Sequence, residues 1–262
     1  MADKELFKDT AYYYAKYRAG YPPEFFEYVT SYFNLNGKGR LLDLGCGTGQ
    51  LIIPLAKYFE EVIGLDYERE MIDEAKKQTE VAKIKNVKFV LKKAEEITND
   101  LGIFRLTTIG ASFHWMKQKE VLQKIYELTE LGGGVIIVSD SSSPWRDDCE
   151  KWKKVRKEIV QKYLGKKRHA GNDFYSESKE KFEDLLNASP FSGYEEWTFD
   201  YKKVWTLEMA INFLYSTSFA SRRLFGDSLK DFENELQTEL LKIEPSGLFK
   251  ERIHVQVLLT RK

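Results

Sequence analysis

Cysteine and long apolar runs are both scarce in this 262-residue chain. Cys46 and Cys149 are too few for a disulfide framework and lack the paired spacing of a zinc site. Apolar runs such as residues 133–138 are far shorter than the roughly 20 residues that cross a bilayer, and the start of the chain lacks the apolar core of a signal peptide. We therefore expect a cytoplasmic protein with no membrane segment.

An excess of either charge is also absent, since Lys plus Arg and Asp plus Glu each total 41. No whole-molecule field therefore draws the chain toward nucleic acid or an anionic membrane. Hydrophobic residues make up 42% of the chain, which is typical of a globular protein and too apolar for intrinsic disorder. The length fits one embellished domain over residues 1–262.

Short apolar runs alternate with helical segments from Arg40 onward. Five strands are predicted near residues 41–45, 62–66, 87–91, 106–111 and 134–140, and two more near residues 194–204 and 253–259. Strands separated by helices pair in parallel through right-handed crossovers, with helices on both faces of the sheet. The predicted fold class is therefore α/β, with a Rossmann-like, doubly wound, mostly parallel seven-stranded sheet.

The first predicted strand runs into three alternating glycines, Gly45, Gly47 and Gly49, and then into a helix. Such a turn lets the backbone approach a ligand closely. The dinucleotide fingerprint would require another glycine at position 50, where Gln50 stands. Asp43 beside the turn would repel a pyrophosphate but suits a ligand that carries an ammonium group.

Asp66 ends the next predicted strand, roughly 20 residues beyond the glycines. A carboxylate there can accept hydrogen bonds from both hydroxyls of a ribose. The alternative is that Asp66 caps the helix that follows. Both roles require nearly the same position.

The sequence from Leu42 to Gly49, together with Asp66, resembles motifs I and II of class I S-adenosylmethionine-dependent methyltransferases. Over residues 10–140 the chain is most similar to the small-molecule group of these enzymes, methyltransferase type 11, which includes trans-aconitate methyltransferase-like members. The resemblance implies S-adenosyl-L-methionine as cofactor, S-adenosyl-L-homocysteine as product, and no metal.

The resemblance also implies which residues bind this cofactor. It predicts that Gly45 and Gly47 line the methionine moiety, that Asp66 binds the ribose, and that Tyr67 and Met71 pack on adenine. Lys93 stands where the family often has an aspartate for the adenine amino group, so Glu95 or the backbone of Ala94 would substitute. Further predicted cofactor contacts are Arg18, Asp43, Cys46, Gly49, Ser112 and Phe113.

Four segments follow from this comparison. They are an N-terminal helical cap (1–36), a cofactor-binding core (37–140), a helical lid inserted after the fifth strand (141–192), and a C-terminal part that completes the sheet with helices (193–262). The basic residues of the lid helix either form a solvated face or line a pocket for an anionic acceptor: Lys151, Lys153, Lys154, Arg156, Lys157 and Lys162.

His114 and Tyr13 are the candidate catalytic residues. His114 lies in an Ala-Ser-Phe-His-Trp segment after the fourth strand, and its imidazole can act as a general base near neutral pH. It could instead orient the loop or contact the cofactor. Tyr13 could cover the methyl donor and Arg18 could pair with the cofactor carboxylate, but core packing for Tyr13 and a surface ion pair for Arg18 are the alternatives.

These residues predict an enzyme that transfers a methyl group to an oxygen or nitrogen of a small acceptor, which would be anionic if the basic lid residues face the pocket. A nucleic-acid methyltransferase and a non-catalytic S-adenosylmethionine-binding protein are the alternatives. The balanced charge disfavours nucleic acid, and the missing third fingerprint glycine disfavours NAD. The chain is expected to be a monomer or a homodimer.

Overall fold

The computed structural model describes residues 5–140, 150–175 and 180–262. Its helices are α1 (Ala11–Tyr17), α2 (Pro23–Tyr32), α3 (Ile52–Leu55), α4 (Arg69–Val81), α5 (Gln118–Leu128), α6 (Lys151–Leu164), α7 (Phe182–Ala188), α8 (Leu207–Tyr215) and α9 (Leu229–Ile243). Its strands are β1 (Arg40–Leu44), β2 (Glu61–Asp66), β3 (Val87–Leu91), β4 (Phe104–Gly110), β5 (Thr129–Asp140), β6 (His169–Ala170), β7 (Asp173–Phe174), β8 (Glu195–Thr206) and β9 (Leu248–Arg261). Cys149 lies outside the described residues.

Seven strands form one sheet in the order β3-β2-β1-β4-β5-β9-β8. The pairs β1–β2, β2–β3, β1–β4 and β4–β5 are parallel. The order reverses at β1, so β2 and β4 flank the strand that leads into the glycine turn. This confirms the predicted doubly wound α/β fold, in which ligands bind beyond the carboxyl ends of the strands at the switch point.

Strand β9 runs antiparallel to β5. The backbone N–H of Lys262, at the end of the chain, donates to the carbonyl of Gly133 over 3.0 Å. At the other end of β5, the side chains of Ser139 and Gln256 are hydrogen-bonded. Strands β8 and β9 are neighbours and also run antiparallel, because Gln256 contacts Glu196 while Glu251, earlier in β9, contacts Trp205, later in β8.

The chain divides into two compact units. Within the described residues, the first comprises 5–19, 140, 150–175 and 200–254, and the second comprises 20–139, 180–199 and 255–262. The first has a core of aromatic and aliphatic side chains from α6, α8 and α9. The core of the second lies around the parallel strands and α5.

The predicted segments have different boundaries from these units. The cap is divided at Gly20. The helix α7, predicted as part of the lid, belongs to the second unit because Leu185 and Leu186 are buried in its core beside α5. The single domain over 1–262 stays a prediction. The short β6–β7 hairpin has no counterpart in the prediction.

Candidate functional site

The glycine turn after β1 requires backbone conformations that suit glycine. Gly45, Gly47 and Gly49 have φ angles of 65°, 53° and 93°. Residues other than glycine rarely adopt this left-handed region of φ. The N–H groups of Gly45 and Cys46 both donate to the carbonyl of Leu65, over 2.8 and 3.0 Å. The turn is therefore held against the end of β2.

Asp66 accepts two backbone hydrogen bonds at the end of β2. Its Oδ2 accepts from the N–H of Gly47 over 2.9 Å, and its Oδ1 accepts from the N–H of Glu68 over 2.9 Å. Burial raises the pKa of this carboxyl, and the backbone bonds oppose that effect. The backbone of Tyr67 also interacts with this carboxylate, and because a carboxylate has about four acceptor sites, Asp66 keeps acceptor capacity for a ligand hydroxyl. Glu68 occupies the N-cap of α4, so Asp66 is not the N-cap residue itself, but it binds the N–H of that residue at the start of the helix.

Asp43 lies within β1, where only 2% of it is exposed. Its Oδ1 accepts a 2.7 Å hydrogen bond from the hydroxyl of Thr108 on β4. Burial, with a smaller contribution from the nearby Asp66 charge, raises the pKa of Asp43 to about 7. Because so little of Asp43 is exposed, we expect its effect on a bound ammonium to act mainly through its charge.

The segment after β4 turns sharply across the end of β1. Ala111 has a φ of 52°, which is unusual for a residue with a side chain, and its N–H donates to Val138 over 2.9 Å. The hydroxyl of Ser112 donates to the carbonyl of Leu44 over 2.9 Å. His114 follows in a 3-10 turn, partly exposed, with its ring centroid 4.6 Å from that of Trp115.

Several predicted cofactor contacts have buried side chains. Phe113 is 1% exposed and packs edge-on against Phe182 in the core, so little of its side chain is available to a ligand. Met71 is 2% exposed on α4, which leaves little of it for adenine. Cys46 and Ala94 are also buried. The predicted members of the second unit that remain partly exposed are Gly45, Tyr67, Glu95, Ser112 and His114.

Glu95 has a structural partner. Its Oε1 accepts the backbone N–H of Lys117 over 2.6 Å, at the start of α5. Its backbone carbonyl accepts a bond from the ammonium of Lys124. This carboxylate joins the end of β3 to α5, so it is a weaker candidate for the adenine amino group than the sequence indicated.

Tyr13 and Arg18 belong to the first unit and bind partners there. The hydroxyl of Tyr13 accepts a 3.0 Å bond from Arg222, and its ring packs edge-on against Tyr215. Arg18 donates to the carbonyl of Ser216 over 3.1 Å, and its guanidinium lies over the ring of Tyr14. Tyr13 is thus in a core-packing environment, and the contacts of Arg18 with other described residues are with a backbone carbonyl and with aromatic rings.

The basic residues of α6 differ in exposure, and Lys157 is intermediate. Lys151, Lys154 and Lys162 are exposed, in agreement with a solvated face. Lys153 and Arg156, at 2% and 1% exposure, are buried inside the first unit. Lys153 pairs with Glu251, and Arg156 donates to the carbonyl of Ala210 and lies over the ring of Trp152. The prediction that all the basic residues of α6 form one solvated face is therefore wrong for Lys153 and Arg156.

Arg105 has a structural role, although it stands at the opening of β4, where the family that the sequence resembles commonly has an aspartate. It donates to the carbonyl of Phe33 over 2.9 Å and pairs with Glu130. These contacts lie at the start of β4, at the opposite end of the strand from His114. The departure therefore does not affect the candidate site.

Two residues of the site were missed by sequence reasoning. The hydroxyl of Thr108 donates to Asp43. The sequence pattern of the buried strand β4 did not indicate this contact. Tyr21 is adjacent to the end of β4, because a Cβ placed on Gly110 would lie 3.0 Å from its hydroxyl. The Tyr-Pro pair before α2 was the available signal for Tyr21.

Comparison with known proteins agrees with this geometry. The model of the methyltransferase domain family matches residues 35–188, more than half of the chain. The chain therefore belongs to the methyltransferase domain family. Its sheet has the class I methyltransferase architecture.

Two relatives come from Schizosaccharomyces pombe. An uncharacterized methyltransferase is 31% identical over 140 residues, covering 52% of this chain and 54% of the relative. An uncharacterized methyltransferase-like protein is 27% identical over 218 residues, covering 83% and 79% of the two chains. The chain thus spans about half the length of the first of them.

Two further matches are a solved structure that covers most of the chain and a curated protein that matches a short part of it. The crystal structure of the YcgJ protein from Bacillus subtilis superposes with a TM-score of 0.54 at 14% identity, covering 90% of this chain and 97% of that one. A tRNA/tmRNA (uracil-C(5))-methyltransferase of Nitratiruptor is 38% identical over 64 residues, which are 24% of this chain and 18% of that protein. The former likeness concerns the fold alone.

Among residues 5–140, 150–175 and 180–262, none of the helices combines the length and apolarity needed to cross a membrane. The described part of the chain also contains no cluster of three His, Cys, Asp or Glu side chains suited to a metal ion. A metal-free reaction stays a prediction.

Proposed function

We propose that this protein transfers a methyl group from S-adenosyl-L-methionine to an oxygen or nitrogen atom of a small molecule. The observation that carries the proposal is the position of Asp66. Its two oxygens are fixed by the N–H groups of Gly47 and Glu68, directly beside the glycine turn. A carboxylate held in this way is preorganised to accept the hydroxyls of a nucleoside.

The residues of the second unit fit this cofactor. Asp66 would hold the ribose, and the glycine turn would lie against the methionine moiety. Tyr67, which follows Asp66 and is partly exposed, would pack on adenine. The buried charge of Asp43 would favour the ammonium through the turn and would disfavour a pyrophosphate. When bound, S-adenosylmethionine supplies an electrophilic methyl group on a sulfonium.

The protein's own chemical task is small in such a reaction. In-line displacement requires an oriented acceptor and exclusion of water more than it requires catalytic groups. His114, partly exposed after β4, would accept the proton that a hydroxyl or ammonium acceptor loses. Tyr13 takes no part in this proposal, because its hydroxyl accepts a hydrogen bond from Arg222.

A small molecule is favoured over nucleic acid as the acceptor. The similarity to RNA methyltransferases extends over 64 and 70 residues, about a quarter of this chain, so it gives little support for a nucleic-acid acceptor. The net charge is zero, whereas nucleic-acid binding depends strongly on contacts between basic side chains and phosphates. A cytoplasmic location and a monomeric or homodimeric state complete the proposal.

Replacing Asp66 by Ala is expected to weaken S-adenosylmethionine binding by about 100-fold or more, since two hydrogen bonds to a charged group are lost. Calorimetric titration of the wild-type protein and the variant measures this directly, with NAD titrated in parallel. Asp66→Asn retains the size of the side chain, and Asp73→Ala removes an exposed acid of α4 as the matched control. Circular dichroism checks that each variant is folded.

Micromolar binding of S-adenosylmethionine to the wild-type protein and to Asp73→Ala, with loss in both Asp66 variants, would support the proposal. Binding of NAD in preference to S-adenosylmethionine, or equal affinity of all variants, would refute the cofactor assignment.

A further inference from the structure

The hydroxyl of Ser112 connects the two loops of the candidate site. It donates to the carbonyl of Leu44, the residue directly before Gly45, over 2.9 Å. Ser112 also occupies the N-cap position of the 3-10 turn that carries His114, yet its side chain makes no capping bond there. The Ser112 hydroxyl therefore binds the glycine turn rather than its own 3-10 turn.

Ser112 and Gly45 are packed against each other without spare room. A Cβ placed on Gly45 would lie 2.6 Å from the Ser112 Oγ and 2.7 Å from its Cβ. Contacts under about 3.0 Å cannot be accommodated without a shift of one partner. A small side chain at position 112 and glycine at position 45 thus require one another.

The backbone around Ser112 is constrained as well. Ala111 adopts a φ of 52°, and its N–H is held by the carbonyl of Val138. Unusual φ values in residues with side chains persist only where surrounding contacts maintain them, and they concentrate at functional sites. The hydroxyl of Ser112 lies one residue from this constraint and two residues from His114.

We propose that Ser112 is a positioning residue, which fixes the His114 turn to the glycine turn and makes no direct contact with the methyl donor. The proposal rests on the proposed function for the role of His114. A change in the glycine turn on cofactor binding is transmitted through Ser112 to the imidazole.

The test is the nuclear magnetic resonance spectrum of the histidine rings, which needs no acceptor. The chain has three histidines, and His114→Gln identifies the signals of His114. Ser112→Ala removes the hydroxyl, and Ser112→Cys retains a group of similar size. Ser189→Ala is the matched control, because the Ser189 hydroxyl also donates to a backbone carbonyl in the second unit, that of Leu186.

Without ligand, Ser112→Ala is expected to shift the His114 ring signals and leave those of His169 and His254 unchanged. Ser112→Cys should shift them less, and Ser189→Ala should not shift them. Unchanged His114 signals in Ser112→Ala would overturn the proposal whether or not the protein binds any cofactor.

The second measurement is titration of the same samples with S-adenosylhomocysteine. In the wild-type protein it should shift the His114 signals, and in Ser112→Ala this response should be lost, with affinity changed less than about threefold. A loss of affinity above about tenfold, with the His114 response intact, would make Ser112 a cofactor contact instead. Absence of binding to the wild-type protein would refute the proposed function alone.

Discussion

Replacing Lys153 by Met is expected to lower the free energy of unfolding by about 3–5 kcal/mol, because it removes the ammonium in direct contact with a buried carboxylate. Lys153 Nζ lies 2.5 Å from Oε1 of Glu251 and 3.3 Å from Oε2 of Glu150. Lys153 and Glu251 are 2% and 3% exposed. Water therefore cannot replace the missing ammonium.

Glu251 is bound on its other side by the indole of Trp205, whose Nε1 donates to Oε2 over 2.5 Å. Burial raises the pKa of Glu251, and the charge of Lys153 opposes this rise. The ion pair links α6 to β8 and β9 within the first unit. Loss of the ion pair should therefore destabilise the packing of α6 against β8 and β9.

Chemical denaturation of Lys153→Met measures the effect, with Lys154→Met as the control because Lys154 is an exposed neighbour on the same helix. The double variant Lys153→Met/Glu251→Met should recover much of the loss, since replacing both members of a buried pair by apolar groups is often neutral. Equal effects of Lys153→Met and Lys154→Met would show that the pair contributes little.

The sequence predicted best those features that depend on neighbours in the chain. The glycine turn and Asp66 lie on adjacent strands of a repeated β-α unit, so spacing alone indicated that they meet. Lys153 could not be assigned in this way. It stands among other basic residues at helical spacing, and its partner Glu251 lies on the last strand.

Roles that depend on contacts distant in sequence were predicted less well. Phe113 follows the family pattern, but its partner Phe182 comes from a helix that was expected in the lid. Nothing near Tyr13 in the sequence indicates that Arg222 donates to its hydroxyl. Strand and helix positions follow from local periodicity, whereas a side chain's direction depends on tertiary packing.

Replacing Asp43 by Asn is expected to stabilise the ligand-free protein in a pH-dependent way. The pKa of Asp43 is raised by burial from 3.8 to about 7. The neutral carboxyl contributes its full stabilisation below about pH 4, and this is lost as the pH rises to about 7. Because one pKa unit corresponds to about 1.4 kcal/mol, ionising Asp43 costs the folded chain roughly 4 kcal/mol.

The advantage of Asp43→Asn should therefore grow by about 2–3 kcal/mol between pH 5 and pH 8, measured by urea denaturation at each pH. Asn keeps an oxygen for the hydroxyl of Thr108, so the link between β1 and β4 is preserved. Asp73→Asn, an exposed substitution on α4, should show no such trend. A constant difference across this range would mean that Asp43 is already ionised at pH 5.

Asp43→Asn also tests whether the charge of Asp43 contributes to S-adenosylmethionine binding, separately from its effect on the stability of the protein. If the Asp43 charge stabilises the ammonium of S-adenosylmethionine, binding must favour ionised Asp43 and so release protons near pH 6. Calorimetry in buffers of different ionisation enthalpy would detect this release in the wild-type protein and find none in Asp43→Asn, whose affinity should also be lower. If the wild-type protein and Asp43→Asn have equal affinity and release equal numbers of protons, the role of Asp43 is only to connect β1 and β4. Recognition of the cofactor would then depend on Asp66 and the glycine turn.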